Sequence, residues 1–139
     1  MRRLSAQAGF TLIEIMVVVF ILGLLVTLVA PRIIGRTDQA RVTKAKADIK
    51  AIEESMNMFK LDNGFYPSNA EGVAALVQPP PRAKRFNPDG YLQKVPTDPW
   101  GNEYIYQSDG RDTVVFSLGA DGVEGGEGYN ADIDSRHLD

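Results

Sequence analysis

Apolar residues fill the front of the chain almost without interruption. From Phe10 to Ala30 the sequence reads FTLIEIMVVVFILGLLVTLVA, a run of 21 residues. Only four positions in it depart from large apolar or alanine side chains: Thr11, Glu14, Gly23 and Thr27. A helix of about 20 such residues matches the roughly 30 Å hydrocarbon thickness of a bilayer. The pattern predicts that residues 10–34 form the membrane-spanning first half of a long N-terminal helix.

Beyond Pro31 the apolar positions change to a one-sided pattern with spacings of three and four residues: Val42, Ala45, Ile49, Ile52, Met56 and Phe59. This spacing places all six on one stripe of an α-helix. The second half of the helix is therefore amphipathic, and its apolar stripe faces a core. Asp62-Asn63-Gly64 ends the helix, with the glycine in a left-handed conformation.

Gly23 and Pro31 are the weak points of this long helix. Glycine loosens the backbone, and proline removes a hydrogen-bond donor and clashes with the preceding turn. We expect the helix to bend or unwind over residues 23–31.

The rest of the chain shows shorter patterns. Ser68 and Glu71 match an S-x-x-E capping box, which predicts a short second helix that Pro79-Pro80-Pro81 ends. The segments EYIYQ and TVVFSL flank a turn, residues 108–111, and predict a β-hairpin. The fold class is therefore α+β, with the long helix packed on a small antiparallel sheet. Pro96–Gly101 predicts a rigid turn with Trp100 filling a gap in the core.

The leader before the apolar run is short and basic. Residues 1–9 include Arg2 and Arg3 and end in the small pair Ala8-Gly9. In an ordinary secretory signal the small-residue cleavage site follows the apolar region, whereas here it precedes it. Cleavage after Gly9 would leave the apolar segment on the mature protein.

Glu14 is the one charged residue of the run. An acidic side chain at the centre of a spanning helix costs on the order of 3 kcal/mol, so Glu14 needs a cationic partner or a place near the interface. The amine that cleavage before Phe10 creates, on the same chain or a neighbour, would neutralise it. A position among lipid headgroups is the alternative.

Charge is unevenly distributed along the chain. The net charge is −3, yet residues 1–50 carry eight basic and three acidic side chains, whereas residues 98–139 carry two basic and ten acidic ones. This balance argues against a nucleic-acid binder. The chain has no cysteine, which excludes disulfides and thiolate zinc sites. The single histidine, His137, is expected at the frayed surface near the C-terminus.

Carboxylates and glycines are concentrated in LGADGVEGGEGYNADID, residues 118–134. Calcium prefers six to eight oxygen ligands from carboxylates, amides and carbonyls, and glycines let a loop wrap the ion. The interval from Asp121 to Asp132 has EF-hand length, but Val123 and Gly125 occupy two ligand positions, so we reject an EF-hand. From composition alone, a calcium loop and a solvated loop without an ion stay equally open.

At the front end, the motif G-F-T-L-I-E with its basic leader resembles the processing motif of type IV pilins and pseudopilins. In that family a prepilin peptidase cuts after the glycine and methylates the new N-terminus. The glutamate then pairs with the amine of an adjacent subunit. The resemblance implies that Gly9 and Phe10 form the cleavage pair, that Phe10 is N-methylated, and that Glu14 is the assembly carboxylate. It also implies that the stretch around Gly23 and Pro31 is extended in filaments.

Three further segments, GFYPSNAEGVAAL, YLQKVPTDPWGNEYIY and SLGADGVEGGEGYNADI, resemble the major pseudopilins of type II secretion systems. The resemblance implies a type IV pilin-like fold with a structural calcium in the C-terminal loop. The implied ligands are the Asp121 and Asp132 side chains and the Leu118 carbonyl, with Val123 and Asn130 less secure. The family often has an aspartate at the position of Asn130.

The implied function is a structural subunit without enzymatic activity, which helps export folded proteins across the outer membrane. The implied partners are further copies of the chain, minor pseudopilins, the prepilin peptidase, the inner-membrane assembly platform and membrane lipid, with no nucleic acid. The chain would cross the bacterial inner membrane once and place residues 35–139 in the periplasm. A count of basic residues on either side of the span, taken alone, predicts the opposite topology.

Three alternatives remain. A subunit of a true type IV pilus, for adhesion, motility or DNA uptake, belongs to the same class, but the missing cysteine pair favours the pseudopilin. A membrane-tethered binding domain would leave Glu14 without a purpose. The third alternative is a hydrolase that uses Asp121 and Asp132 as its catalytic pair. An ATPase is not among the alternatives, because the sequence contains no phosphate-binding loop motif.

Overall fold

The structure is a computed structural model that describes the backbone of residues 9–138 and the side chains of residues 9–28 and 35–138. One α-helix, α1, runs from Leu12 to Asn63. It is followed by a 3-10 helix (Val73–Leu76), strands β1 (Ile105–Ser108) and β2 (Thr113–Ser117), a second 3-10 helix (Gly128–Asn130) and strand β3 (Ile133–Asp134). The prediction of an α+β chain with a long N-terminal helix and a small antiparallel sheet is confirmed. The leader predicted over residues 1–9 lies outside the described residues except for Gly9.

The chain divides into two compact units between Thr37 and Asp38. In the first unit, the backbone is α-helical across residues 23–31, and the bend or unwinding predicted there for filaments stays a prediction. A membrane-spanning segment is predicted over residues 10–34. Over the described part of the chain, no helix combines the length and the apolar character that crossing a membrane requires.

In the second unit, the apolar stripe of α1 forms one side of the core. Five of the six predicted positions are fully buried: Ala45, Ile49, Ile52, Met56 and Phe59. The sixth, Val42, is partly buried against them. The facing side of the core comes from the sheet and from Tyr104, the residue before β1. The sheet residues are Tyr106, Val115 and Ile133. Each large apolar side chain buried in this way contributes about 1.5–3 kcal/mol.

The C-terminal end of α1 is closed by an aromatic cluster. The Phe59 ring meets Phe65, Phe86 and Tyr91 in edge-to-face arrangements, with centroid distances of 5.5, 6.3 and 5.4 Å. Gly64 has φ +84° and its N–H donates to the Lys60 carbonyl over 2.7 Å. The left-handed helix end predicted at Gly64 is therefore confirmed.

The predicted hairpin is present and is extended by a third strand. β1 and β2 pair antiparallel, with Tyr106 opposite Val115, so that both side chains face the core. Asp109 closes the turn by accepting the N–H groups of Arg111 and Asp112, each over 2.8 Å. The two-residue β3 pairs with β2, with Ser117 opposite Ile133.

The capping box forms, but it does not begin a helix. The Ser68 N–H donates to Glu71 Oε2 over 2.7 Å, and the Glu71 N–H donates to Ser68 Oγ over 3.3 Å. The residues between them form turns, and the helix that follows is a single 3-10 turn that begins after Gly72. The predicted short second helix is present at Val73–Leu76, as a 3-10 helix. Gly72 has φ +56°, a conformation that interrupts an α-helix.

Candidate functional site

The predicted cleavage pair is accessible. Gly9 and Phe10 precede the first helical residue, Leu12, and both are exposed, Phe10 to 82%. No helical hydrogen bond has to break for an enzyme to reach the peptide bond between them, because α1 begins two residues later. Proteases act on exposed, non-helical backbone of this kind.

Glu14 takes part in a second capping box, which the sequence analysis missed. Its Oε2 accepts the Thr11 N–H at 3.3 Å and lies 3.4 Å from Thr11 Oγ1, and the Glu14 N–H donates to Thr11 Oγ1 at 3.3 Å. The signal was present in the sequence as T-L-I-E, a Thr-x-x-Glu pattern directly before the apolar run. The distances lie beyond the usual 2.7–3.2 Å range, so these are weak bonds.

The surface of the first unit is apolar. Nearly all large side chains between Phe10 and Leu28 are about half exposed or more; the exposed fractions of Leu12, Phe20 and Leu28 are 80%, 69% and 71%. Apolar patches larger than a few hundred Å² on a monomer mark a surface that binds protein or membrane. This segment therefore requires a cover that the single chain does not supply.

The predicted calcium loop, residues 118–132, is closed at its two ends by strand pairing. β2 ends at Ser117 and β3 begins at Ile133, and these two residues pair directly. Further in, the Ala120 N–H donates to the Tyr129 carbonyl over 3.0 Å. Leu118 and Asp132, which are far apart in sequence, therefore flank the same pair of strand ends.

Two glycines let the loop pack tightly on itself. A Cβ added to Gly119 (φ +71°) would lie 2.7 Å from the Ala131 carbonyl oxygen, and one added to Gly126 (φ +85°) would lie 2.5 Å from the Asn130 carbonyl oxygen. Real Cβ atoms do not come this close to backbone oxygens, so only glycine fits at either position. The backbone of Asn130 is thus held against two other parts of the loop.

The two predicted carboxylate ligands make different contacts. Asp121 is exposed, and its Oδ1 accepts the Val123 N–H over 3.1 Å. Asp132 is half-buried, and its Oδ2 accepts the Gly125 N–H over 3.0 Å. The other oxygen of Asp132, Oδ1, is buried and has no hydrogen-bond partner among the described residues. A buried carboxylate oxygen without a donor is costly unless a cation or a water molecule satisfies it.

The donor set in this loop suits a hard cation with few side-chain ligands. Within the described residues, no group of three or more acidic or histidine side chains gathers closely enough to hold a metal by itself. A cation here would depend on one or two carboxylates together with main-chain carbonyls and amides, which is a ligand mixture that calcium accepts. The orphan Asp132 Oδ1 is the observation that fits this chemistry.

A buried carboxylate, Asp98, lies next to the loop. Asp98 is 4% exposed, and its Oδ1 accepts the N–H groups of Trp100 and Asn102 over 3.0 and 2.8 Å. Its Oδ2 accepts the hydroxyl of Ser117, which is fully buried, over 2.7 Å. Pro96–Gly101 is the predicted rigid turn, and the Asp98 carboxylate holds it through these hydrogen bonds. Trp100 is half-buried against the core, as predicted.

Two family models match the chain. The model described as "Type II secretion system (T2SS), protein G" matches residues 32–136, and the model described as "Prokaryotic N-terminal methylation motif" matches residues 4–30. Together they cover both the loop and the predicted cleavage site.

Known proteins agree with these models. The chain is 56% identical over 132 residues to a type II secretion system core protein G of Pseudomonas aeruginosa, covering 91% of this chain and 93% of that protein. It is 48% identical over 142 residues to the core protein G of Vibrio cholerae, covering 99% and 97%. In a structural comparison it matches the crystal structure of the major pseudopilin from the type 2 secretion system of enterohaemorrhagic Escherichia coli, with a TM-score of 0.62 and 36% identity over 73% of this chain and 91% of that one. The chain therefore belongs to the protein G family of type II secretion systems, which includes the system's major pseudopilin.

Proposed function

We propose that the chain is cleaved after Gly9, methylated at Phe10, and assembled through its N-terminal helix into the periplasmic pseudopilus that helps export folded proteins. The observation that carries this proposal is the exposed apolar surface between Phe10 and Leu28, on a chain whose residues 4–30 match the methylation motif. Copies of the same segment, or membrane lipid before assembly, would cover that surface.

In this proposal Glu14 changes partner during assembly. Among the described residues, the Glu14 carboxylate is held by long contacts to Thr11. Cleavage converts the Phe10 amide into a cationic amine, and an ion pair with a neighbour's amine in an apolar environment is stronger than these contacts. The carboxylate thereby aligns an incoming subunit with the one already in place.

The assembly role can be separated from the capping role by three variants. Glu14→Gln retains a capping-box side chain but removes the charge. Thr11→Ala removes the hydroxyl contacts but retains the charge, and Glu14→Ala removes both functions. We expect Glu14→Gln and Glu14→Ala to abolish filament formation and secretion, and Thr11→Ala to retain both. Filaments sheared from cells and viewed by electron microscopy give the readout, and normal filaments with Glu14→Gln would contradict the proposal.

We also propose that the subunit is anchored once in the inner membrane before assembly, with residues 35–139 in the periplasm. The 21-residue apolar run and the family membership support this location. The minor pseudopilins, the prepilin peptidase and the assembly platform are the partners that such a subunit requires. The role is structural and not catalytic, since the family is one of filament subunits.

The loop over residues 118–132 is proposed to hold a structural calcium. The Asp121 and Asp132 side chains and the Leu118 carbonyl would bind it, with Val123 and Asn130 as further contributors. Calcium would supply the positive charge that the buried Asp132 Oδ1 lacks and would join the two sides of the loop. The Asn130 carbonyl oxygen lies in the close approach to Gly126.

Calcium removal tests this assignment directly. We expect chelation to lower the melting temperature of the wild-type protein, and Asp132→Asn and Asp121→Ala to remove that sensitivity. Asp109→Asn is the matched control, because Asp109 is also an acidic residue in a turn, but it closes the β1–β2 hairpin. A wild-type protein whose melting temperature is the same in calcium and in chelator would refute the calcium site.

A further inference from the structure

The turn that precedes β1 lies beside the loop over residues 118–132 and contacts the residue directly before it. The Asp98 carboxylate binds the Ser117 hydroxyl, at the residue directly before the loop. Asn102, at the other end of the turn, approaches the loop interior: a Cβ added to Gly122 would lie 3.5 Å from Asn102 Nδ2. Gly122 follows the proposed ligand Asp121.

The hydrogen bonds around Ser117 have a defined direction. A carboxylate only accepts, so the Ser117 hydroxyl proton is directed to Asp98 Oδ2. The hydroxyl oxygen is then free to accept the Gly119 N–H, which lies 3.3 Å away. Leu118, whose carbonyl is a proposed ligand, is held between these two anchored residues.

Asp98 is itself rigidly placed. Besides the two N–H groups that its Oδ1 accepts, its own N–H donates to the Asn102 carbonyl over 2.7 Å, and its carbonyl accepts the Gly101 N–H over 3.0 Å. The Asp98 carboxylate therefore has little freedom to move, and its hydrogen bond fixes the position of the Ser117 hydroxyl. The Ser117 hydroxyl in turn fixes Gly119, which packs against the Asn130 and Ala131 backbone.

We propose that Asp98, acting through Ser117, is a positioning residue that sets the calcium affinity of the loop without contacting the ion. This inference rests on the calcium site proposed above. Groups that orient metal ligands from behind change metal affinity by about 10- to 100-fold when they are removed. A residue that only supports the fold would lower stability with and without calcium alike.

Four proteins test the proposal: the wild type, Asp98→Asn, Ser117→Ala and the control Ser55→Ala, each as the full chain in detergent micelles. Ser55 is also a buried serine, 8% exposed, with its hydroxyl within hydrogen-bond distance of the Ala51 and Tyr91 carbonyls. Ser55→Ala thus deletes the same atom away from the loop. Calcium is titrated by calorimetry, and melting temperatures are measured in calcium and in chelator.

We expect Asp98→Asn and Ser117→Ala to raise the Kd for calcium by about 10- to 100-fold and Ser55→Ala to leave it unchanged. The double variant of Asp98 and Ser117 should bind no more weakly than Ser117→Ala, because both changes interrupt one chain of contacts. If Ser117→Ala does not fold, the isosteric Asp98→Asn decides the result alone.

Folded Asp98→Asn and Ser117→Ala proteins with the wild-type Kd would overturn the inference and leave the calcium site in place. A wild-type protein that binds no calcium would instead remove the calcium site, and this inference with it. The two failures are therefore distinguishable in one experiment.

Discussion

The Tyr104 hydroxyl donates a hydrogen bond to Asp48 Oδ2 over 2.9 Å and so joins the residue before β1 to the middle of α1. Tyr104 is 6% exposed, and its burial, together with the bond to Asp48, raises the pKa of its hydroxyl far above the usual value. Tyr104 therefore stays a neutral donor at every pH at which the protein is handled. Asp48 also contacts Lys44 one turn earlier, so its charge is balanced on the helix surface.

Tyr104→Phe removes this hydroxyl and preserves the ring. We expect the free energy of unfolding to fall by about 1–2 kcal/mol, because a buried hydrogen bond to a charged group is lost. Urea denaturation of the full chain in detergent measures it. Tyr66→Phe is the control: its hydroxyl bonds to Asn57 over 2.6 Å at an exposed site where water can replace the partner. A loss as large for Tyr66→Phe as for Tyr104→Phe would contradict this explanation.

Glu71 forms an ion pair with Arg82, which lies in the loop after the first 3-10 helix, and this pair makes the stability of the fold depend on pH in acid. The hydrogen bond from Arg82, over 2.9 Å, and the Ser68 N–H lower the pKa of the Glu71 carboxyl from 4.5 to about 2. The folded pKa lies below the unfolded one, so this contribution to stability is present above pH 4.5 and is lost as the pH falls towards 2. We expect the melting temperature of Glu71→Gln to fall less steeply than that of the wild type across this window.

Arg82→Gln separates the two causes of this shift. It removes the ion pair but retains the bond from the Ser68 N–H, so its melting temperature should have an intermediate dependence on pH. The same slope in the wild type and in Glu71→Gln would show that the pair does not contribute to acid stability.

Phe59 is the largest fully buried side chain in the described structure. Replacing it with alanine removes the ring that three other aromatic residues contact, and we expect a loss of about 3–5 kcal/mol. Leu61→Ala, two residues away and 85% exposed, should change stability by less than about 0.5 kcal/mol. Chemical denaturation of both variants measures the free energy of unfolding. Similar losses for the two variants would contradict the central place of Phe59 in the core.

Gly125 and Gly126 offer a matched pair inside the calcium loop. Both have positive φ, +98° and +85°, so alanine at either position costs about 1–3 kcal/mol of backbone strain. A Cβ at Gly125 meets nothing within 4 Å, whereas one at Gly126 collides with the Asn130 carbonyl. We expect Gly126→Ala to lose the calcium-dependent rise in melting temperature and Gly125→Ala to retain it. Equal behaviour would mean that this close approach does not shape the site.

The helix and the hairpin could be predicted because their signals are local. The stripe from Val42 to Phe59 and the Asp109 turn depend on residues within a few positions of one another. β3 could not be predicted, because two residues carry no alternation, and Ile133 is a strand residue only by pairing with Ser117. The capping box at Ser68 was recognised, but Gly72 prevents an α-helix from following it.

The candidate site was predictable as a composition but not as an arrangement. Glycines and carboxylates over residues 118–134 are compatible with a calcium loop and with a solvated loop alike, and only the family resemblance favours calcium and implies the ligands. Which carboxylate oxygen lacks a donor depends on how the loop folds, as does the contact between Gly126 and Asn130. Asp98 lies nineteen residues from Ser117 in sequence, and nothing local connects them. The Thr11–Glu14 capping box is a local Thr-x-x-Glu pattern and could have been predicted from the sequence.

Pairing of Ser117 with Ile133 brings together the two ends of the loop over residues 118–132. The entropy lost on closing a chain segment of this length is therefore lost when the chain folds, and not when an ion binds. The proposed calcium would then have only the interior of the loop to order, which lowers the entropy cost of binding. Lengthening the loop at its exposed tip would leave that advantage intact, whereas separating the two strand ends would remove it.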